Sequence, residues 1–341
     1  MLSNFLFTCN AVLPIILTIL TGYVLKTLGV FRGDFFTLLN KLSFRCCLPT
    51  MLFLNVYGIS NLDEIKNYGG ICLFAFVIIM VTFIIASVLA AIFVKDKKQK
   101  GVMTQAAYRS NNAIIGLSLV MSLAGENAKA IGVVSVLTAV FIPLFNILAV
   151  ISLTMFIDDG KTVSAKEKIM STLRKTATNP LIIGCGLGFV FLLIRALIPT
   201  HVVNGAEVPV FTMKENIPFL YKTLHTIGGC ATPIALIALG GNFAFSAVAR
   251  LKTLITIGTL TRIIIVPAVT LVAARILGFG ENEFPALIAL FGTPVAVSSV
   301  PMATEMGNDA ELAGQIVVWT SVFSAVTLFA TIFACTQLGI F

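Results

Sequence analysis

Long apolar runs, separated by short polar connections, follow one another along the whole chain. Each run is long enough to cross a bilayer as a helix, which takes about 20 residues. The runs cover roughly residues 5–28, 35–58, 69–94, 104–124, 129–156, 179–199, 219–246, 253–278, 284–304 and 310–338. This pattern predicts an all-α integral membrane protein with ten transmembrane helices.

The composition agrees with a membrane protein. Hydrophobic residues make up 58% of the chain, charged residues only 11%, and the mean hydropathy is +1.01. Soluble domains carry about 25% charged residues, and a β-barrel would show alternating segments of about ten residues. The formal charge of +8 comes from loop lysines and arginines, so we attribute it to membrane orientation and not to nucleic-acid binding.

The connections between the runs alternate in charge. The turns after the first, third, fifth and seventh runs are basic, and most of the others are acidic. Because cytoplasmic loops are enriched in Lys and Arg, we expect the basic side to be cytoplasmic and both termini to be extracellular. The turn after the ninth run is an exception, since it holds Glu305, Asp309 and Glu311. The break at 157–178 is a basic linker, and the one at 200–218 has room for a short surface helix.

The two halves of the chain resemble each other. Matching residues recur in the same order, Pro14, Gly22, Pro49 and Gly125 in the first half and Pro180, Gly188, Pro233 and Gly307 in the second. Each half has an odd number of runs, so the second copy enters the membrane from the opposite side, as in an inverted repeat. The predicted units are a five-helix repeat over 1–156, the cytoplasmic linker 157–178, and a second five-helix repeat over 179–341.

The fourth and ninth runs are interrupted by residues that disfavour a helix. In the fourth run, Asn111 and Asn112 are poor helix formers and Gly116 adds backbone freedom. In the ninth, Pro294 and Pro301 each remove an amide donor. Unwound backbone at membrane depth is tolerated only inside protein or beside a watery cavity. Paired interruptions in two halves are typical of a transporter's binding site; a packed kink is the alternative.

The interruptions suggest what such a site would bind. A half-helix that begins at a break points free amides and a positive dipole end inward, which favours an anion. The predicted substrate-binding residues are Asn111, Asn112, Gly116, Thr293, Pro294, Ser298, Ser299, Arg45 and Arg262. The two arginines are included because a charge inside the membrane is a functional candidate, and a structural tether is the alternative for both. Arg109 is expected at the cytoplasmic mouth of the fourth run.

Other chemistry is sparse. No Asp or Glu lies clearly at mid-membrane, which weakens the case for proton coupling. His225 in the seventh run is either a proton carrier or a hydrogen-bonded helix contact. Gly240, Gly241 and Asn242 close that run, where they either pack the helix end or let the helix slide against a moving partner. The seven Cys are scattered and indicate neither a zinc site nor disulfides. We expect no enzyme activity and no cofactor, and leave coupling to sodium or protons open.

At the two interruptions the sequence resembles the auxin efflux carrier family, which includes plant PIN proteins and bacterial malate and malonate permeases. In the fourth run the matching residues are Asn111, Gly116, Leu117, Leu119 and Gly125, with Ser110 and Ser118 where the family has proline. From the ninth run onward they are Pro294, Ala303, Asp309, Leu312 and Ala313, with Met306 in place of an aromatic residue.

The resemblance implies that broken helices 4 and 9 cross at the substrate site of two inverted repeats. Helices 1, 2, 6 and 7 would form a scaffold, often as a homodimer, and helices 3–5 and 8–10 a transport domain that moves like an elevator. The short linker favours a microbial plasma-membrane carrier of a small organic anion such as malate or malonate. Two alternatives stay open: a sodium-coupled organic-anion symporter of the bile-acid type, and a membrane sensor that binds a metabolite or lipid.

Overall fold

The structure is a computed structural model, and helix dominates it. The described residues are 2–31, 34–59, 68–116, 119–120, 123, 127–157, 170, 174, 176–203 and 206–340. The helices are α1 (Leu2–Thr27), α2 (Phe35–Leu42), α3 (Leu48–Tyr57), α4 (Gly69–Phe93), α5 (Lys97–Tyr108), α6 (Ala128–Met155), α7 (Pro180–Leu197), α8 (Met213–Asn216), α9 (Pro218–Gly229), α10 (Ala231–Asn242), α11 (Phe245–Leu260), α12 (Val266–Ile276), α13 (Phe284–Gly292), α14 (Ser299–Glu305) and α15 (Ala310–Gln337). Five-residue π-helical turns at Ser43–Cys47 and Thr261–Ile265 join α2 to α3 and α11 to α12, and a third lies at Asn112–Gly116.

Every predicted apolar run contains helix, so the prediction of a helical membrane protein is confirmed. Among the described residues, six helical segments are by themselves long and apolar enough to cross a membrane: Gly69–Phe93, Lys129–Met155, Pro180–Leu197, Pro218–Asn242, Phe245–Ile276 and Ala310–Gln337. Large side chains such as Leu73 and Phe93 of α4 are 65% and 74% exposed. Exposed apolar surface on this scale is typical of helices that face lipid.

Within the described residues, strands occur only in the connection at 200–218. Thr200–Val203 (β1) pairs antiparallel with Ala206–Pro209 (β2), in a register that sets Thr200 opposite Pro209. β-branched Thr and Val residues favour this extended conformation. The short helix α8 follows the hairpin, as the sequence left room for. Most of the predicted basic linker 157–178 lies outside the described residues.

Two helix pairs bring their backbones into close contact. A Cβ added at Gly22 in α1 would overlap the backbone oxygen of Ile237 in α10. A Cβ at Gly184 in α7 would lie 2.5 Å from the backbone oxygen of Pro49 in α3. Small residues therefore let α1 pack on α10 and α7 pack on α3, as is usual where helices associate inside a membrane.

The residues that close the seventh run also serve packing. A Cβ at Gly240 would overlap the backbone oxygen of Ile19, and one at Gly241 would overlap the ring of Phe36. Asn242 instead lines a cleft of about 260 Å³ between α2, α10, α14 and α15. The sequence left open whether these glycines serve packing or sliding. Their contacts in the structure are those of a packed helix end.

The buried side chains form two large clusters. One draws only on residues of 71–148 and 266–340, that is, on α4 to α6 and on α12, α13 and α15 with their flanks. The other joins α1, the π-turn Ser43–Cys47, α3, α7 and α10 to the remaining faces of α5, α6, α11, α14 and α15. The interrupted runs lie where the two clusters meet.

We expect Gly184→Ala to destabilise the folded protein by about 1–3 kcal/mol, the usual cost of overpacking. Its methyl group would press on the backbone of Pro49, 2.5 Å from the oxygen and 2.9 Å from Cα. Gly186→Ala is the matched control, because nothing lies within 4 Å of a Cβ there and Gly→Ala in a helix gains about 0.5–1 kcal/mol. Thermal unfolding of both variants in one detergent measures the difference, and a Gly184→Ala protein as stable as the parent contradicts the close packing.

Candidate functional site

The two interrupted runs meet at their breaks. The extended residues that follow α5 and α13 form a single antiparallel bridge between Ser110 and Val295. Within it, the backbone N–H of Asn111 donates to the carbonyl of Pro294 at 2.9 Å. Thr293 is extended, with φ −71° and ψ 155°, because the following proline excludes the α conformation. The predicted breaks are therefore real, and they contact each other.

Arg262 holds the helix ends on both sides of this contact. Its side chain is completely buried in the π-turn before α12. Its Nε donates to the carbonyl of Thr293 at 2.9 Å, and its Nη2 to that of Leu290 at 3.1 Å. Its Nη1 donates to the carbonyls of Ala107 and Tyr108 at 3.4 and 3.2 Å. These carbonyls end α13 and α5, where helical partners run out and the helix dipole is negative, so Arg262 is a structural tether between the two ends.

Arg109 is a second buried cation, only 2% exposed, directly after α5. Its Nη2 donates to Asn146 Oδ1 at 2.8 Å and to Ser298 Oγ at 2.7 Å. Its Nη1 lies 3.3 Å from Gln105 Oε1 and 2.8 Å from Met302 Sδ. All these partners are neutral, and Arg109 makes no ion pair within the part of the chain that the structure describes. A buried charge without a counter-ion is costly, so an anion would be stabilised here.

A small cavity of about 60 Å³ lies against Arg109, between the contact of the two breaks and helices α3, α6 and α10. Its other polar lining residues are Asn55, Ser110, Asn111, Asn112, Asn146, Thr232 and Ser298. The Ser110 hydroxyl and the Asn111 side-chain amide are buried and have no hydrogen-bond partner among the described residues. Buried polar groups nearly always have partners. Two unpartnered donors beside an unpaired cation are what a bound carboxylate would satisfy.

Comparison with known proteins bears on this arrangement. The family model described as "Membrane transport protein" matches residues 7–332. The chain belongs to this membrane transport protein family. An "Uncharacterized transporter" of Methanothermobacter thermautotrophicus is 21% identical over 330 residues, which are 95% of this chain and 97% of that protein. The "Uncharacterized transporter MJ1031" of Methanocaldococcus jannaschii is 20% identical over 322 residues, 94% of this chain and 96% of that protein.

The match to the membrane transport protein family confirms the resemblance drawn from the two interruptions. Of the predicted site residues, the structure brings Asn111, Asn112 and Ser298 to the cavity wall. The two asparagines differ in hydrogen bonding, since the Asn112 amide reaches Thr138 Oγ1 at 3.5 Å while the Asn111 amide has no partner among the described residues. Asn111 is therefore better placed than Asn112 to donate to a ligand.

The other predicted substrate-binding residues near the breaks do not line the cavity with their side chains. Thr293 and Pro294 take part through their backbone carbonyls, which accept from Arg262 and from Asn111. Ser299 is buried and its hydroxyl has no partner in the described part of the chain, yet it does not line the cavity. Gly116 packs on α13, where an added Cβ would come within 3.2 Å of a side-chain Cβ. Leu117, Ser118 and Gly125 lie outside the described residues.

Arg45 does not reach the cavity. It lies in the π-turn between α2 and α3 with its side chain 64% exposed, and its Nε donates to Glu305 Oε2 at 3.2 Å. This ion pair joins α2 and α3 to the end of α14, so the contact seen in the structure is the tether and not substrate attraction. His225 lies on the exposed side of α9 and does not line the cavity either.

Sequence reasoning missed Arg109 and Asn146 as site residues. Arg109 was expected at the cytoplasmic mouth, but it is buried at the crossing. The reason is that α5 begins at Lys97, ahead of its apolar run, with Asp96 as the N-cap. Its 12 residues span about 18 Å and bring Arg109 to the depth of the break. The usable signal was an arginine directly before Ser110 with no acidic residue nearby in the sequence.

We expect Arg262→Lys to destabilise the protein strongly, although it preserves the charge. A lysine lacks the planar fork that serves both helix ends, and each buried carbonyl left unpaired costs about 1–3 kcal/mol. The matched control is Arg275→Lys, which changes an exposed arginine in the same apolar run. Thermal unfolding and gel filtration in detergent report the outcome. Equal melting temperatures for the two variants would show that Arg262 does not hold the broken helices.

Proposed function

We propose that the protein is a secondary transporter of a small organic anion, a dicarboxylate such as malate or malonate, which binds where the two breaks meet. The observation that carries this proposal is Arg109, a buried guanidinium with neutral partners on the wall of a small cavity. A carboxylate in the cavity would accept charge-assisted hydrogen bonds from Arg109, Ser110 and Asn111. It would also provide the counter-charge that Arg109 lacks within the described chain.

The size of the cavity favours a small substrate. Its volume of about 60 Å³ is far below the roughly 300–1,000 Å³ of pockets that hold drug-sized ligands. That argues against the bulky amphipathic anions of a bile-acid type symporter. The lining also includes Leu52, Phe145 and Val297, which suit the carbon skeleton of a short carboxylic acid.

We also propose that ten transmembrane helices form two inverted repeats and that transport is elevator-like. In this scheme α1 to α3, α7, α9 and α10 are the scaffold, which forms the homodimer, and the other membrane helices move. The scheme is supported by a buried cluster that draws only on the moving part. It is supported too by the helix pairs, because α1 packs on α10 through Gly22 as α7 packs on α3 through its own glycines.

The cavity lies between the two proposed parts. Arg109 and Ser298 belong to the part that moves, and Asn55 and Thr232 belong to the scaffold. A substrate bound to Arg109 would therefore travel with the moving part and exchange its scaffold contacts on the way. Such a change of contacts is what a transporter needs in order to release on one side what it binds on the other.

The decisive experiment is uptake of radiolabelled carboxylates by proteoliposomes, with and without a sodium or proton gradient. Saturable uptake of malate or malonate supports the proposal, and the gradient that drives it identifies the coupling ion. Saturable binding without uptake would favour a sensor. Uptake restricted to bulky anions would favour the bile-acid type. If the protein neither binds nor takes up any small carboxylate, the proposal is contradicted.

Substitutions at the cavity test the site itself. We expect Asn111→Ala to weaken malonate binding by roughly 10- to 100-fold, since a hydrogen bond to a charged group contributes about 1.5–3 kcal/mol and 1.4 kcal/mol is tenfold. Arg109→Gln should weaken it at least as much. Asn112→Ala is the matched control and should have a smaller effect, because its amide already reaches Thr138.

Calorimetry measures this binding, and thermal unfolding checks that each variant folds. Arg109→Gln removes an unpaired buried charge, so its melting temperature should not fall as that of Arg262→Lys does. Folded Asn111→Ala and Arg109→Gln proteins that bind malonate like the parent would show that the anion is not held where the breaks meet.

We further propose a plasma-membrane location with both termini extracellular, on the basis of the basic turns that include Lys97, Lys98 and Lys100. In a cysteine-free background, a membrane-impermeant maleimide added to intact cells should label Leu338→Cys and not Lys97→Cys. Permeabilised cells are the control and should label both. Labelling of Lys97→Cys alone in intact cells would indicate the opposite orientation. Equal labelling of both variants in intact cells would contradict an odd number of membrane crossings between Lys97 and the C-terminal end.

A further inference from the structure

A further cavity opens on an exposed side of the molecule. It is a groove of about 540 Å³ between α12 and α15. Its apolar lining includes Pro267, Leu271, Phe284, Ala330, Ala334 and Leu338. None of its described lining residues lines the cavity at Arg109. Val272 and Ile276, which also line the groove, are 61% and 80% exposed, and this exposed apolar surface indicates that the side faces lipid.

Arg275 is the only charged residue among the described residues that line the groove. It lies in the last turn of α12 and is exposed. Within the described chain it makes no ion pair. In the nearby acidic loop, Glu283 Oε2 accepts from the backbone N–H of Gly280 at 3.0 Å and forms no ion pair with Arg275. An arginine at the end of a membrane helix places its charge at headgroup depth while its stem covers apolar surface.

We propose that this groove binds an anionic phospholipid, with an acyl chain along α12 and α15 and the headgroup phosphate at Arg275. Lipid tails are as apolar as leucine side chains, so the apolar walls alone distinguish poorly between lipids. Selection for an anionic lipid must come from charge, and Arg275 provides a guanidinium suited to phosphate. The inference depends on the membrane location of the chain and not on the proposed substrate.

The charge is tested by native mass spectrometry of delipidated full-length protein in detergent. The probes are phosphatidylglycerol and phosphatidylcholine with identical acyl chains. The parent should retain phosphatidylglycerol preferentially, and Arg275→Gln should reduce that preference about fivefold, as expected for one basic residue near anionic lipid. Lys222→Gln is the matched control, because Lys222 is an exposed cation on α9 that does not line the groove. Thermal unfolding confirms that each variant is folded.

The groove is tested by filling it. Ala334→Phe should reduce retention of both lipids, while Val326→Phe should not, because Val326 is exposed on the same helix outside the groove. Three results would overturn the proposal. They are equal retention of the two lipids by the parent, a phosphatidylglycerol preference that Arg275→Gln leaves intact, and cross-linking of Ala334→Cys protomers that shows this face buried against a second copy.

Discussion

The guanidinium of Arg262 is the contact on which both broken helices depend. Each break leaves a helix C-terminus inside the protein at membrane depth, where carbonyls have neither helical partners nor bulk water. Arg262 donates to carbonyls at the ends of α5 and α13 alike. The cost of burying its charge is offset by two negative helix ends. The same contact brings the helix ends together, so that the residues after them can pair and enclose a cavity.

Arg109 lies close by in the fold, yet its electrostatic situation differs. The nitrogens of Arg262 meet carbonyls that carry the negative ends of helix dipoles, so its charge is compensated within the fold. Arg109 meets amide, hydroxyl and thioether groups of single side chains. Both are fully buried, so burial does not separate a tether from a binding group. The identity of the partners does, and it is the reason for assigning structure to Arg262 and the anion to Arg109.

Local features of the sequence predicted much of this arrangement. The length of each apolar run located its helix, and Asn111 and Pro294 located the breaks, because their effects act on neighbouring backbone. Contacts between distant residues were out of reach. Arg45 meets Glu305, 260 positions away, and no local pattern marks such a pair. Arg109 was misplaced because α5 begins ahead of its apolar run, and because polar residues inside the run, such as Gln105, are buried against protein.

The cavity divides its chemistry unequally between its two sides. The only charge on its described lining is Arg109, which lies with Ser110 and Asn111 at the breaks, whereas α3 and α10 contribute neutral groups such as Asn55 and Thr232. In the proposed mechanism this division has a physical purpose. Contacts that give affinity must travel with the substrate, and contacts that are exchanged during the movement must be weak enough to break. Had the arginine been on the scaffold side, the movement itself would have to separate the carboxylate from a buried cation before the site opened to water, and such a contact is among the most costly to break.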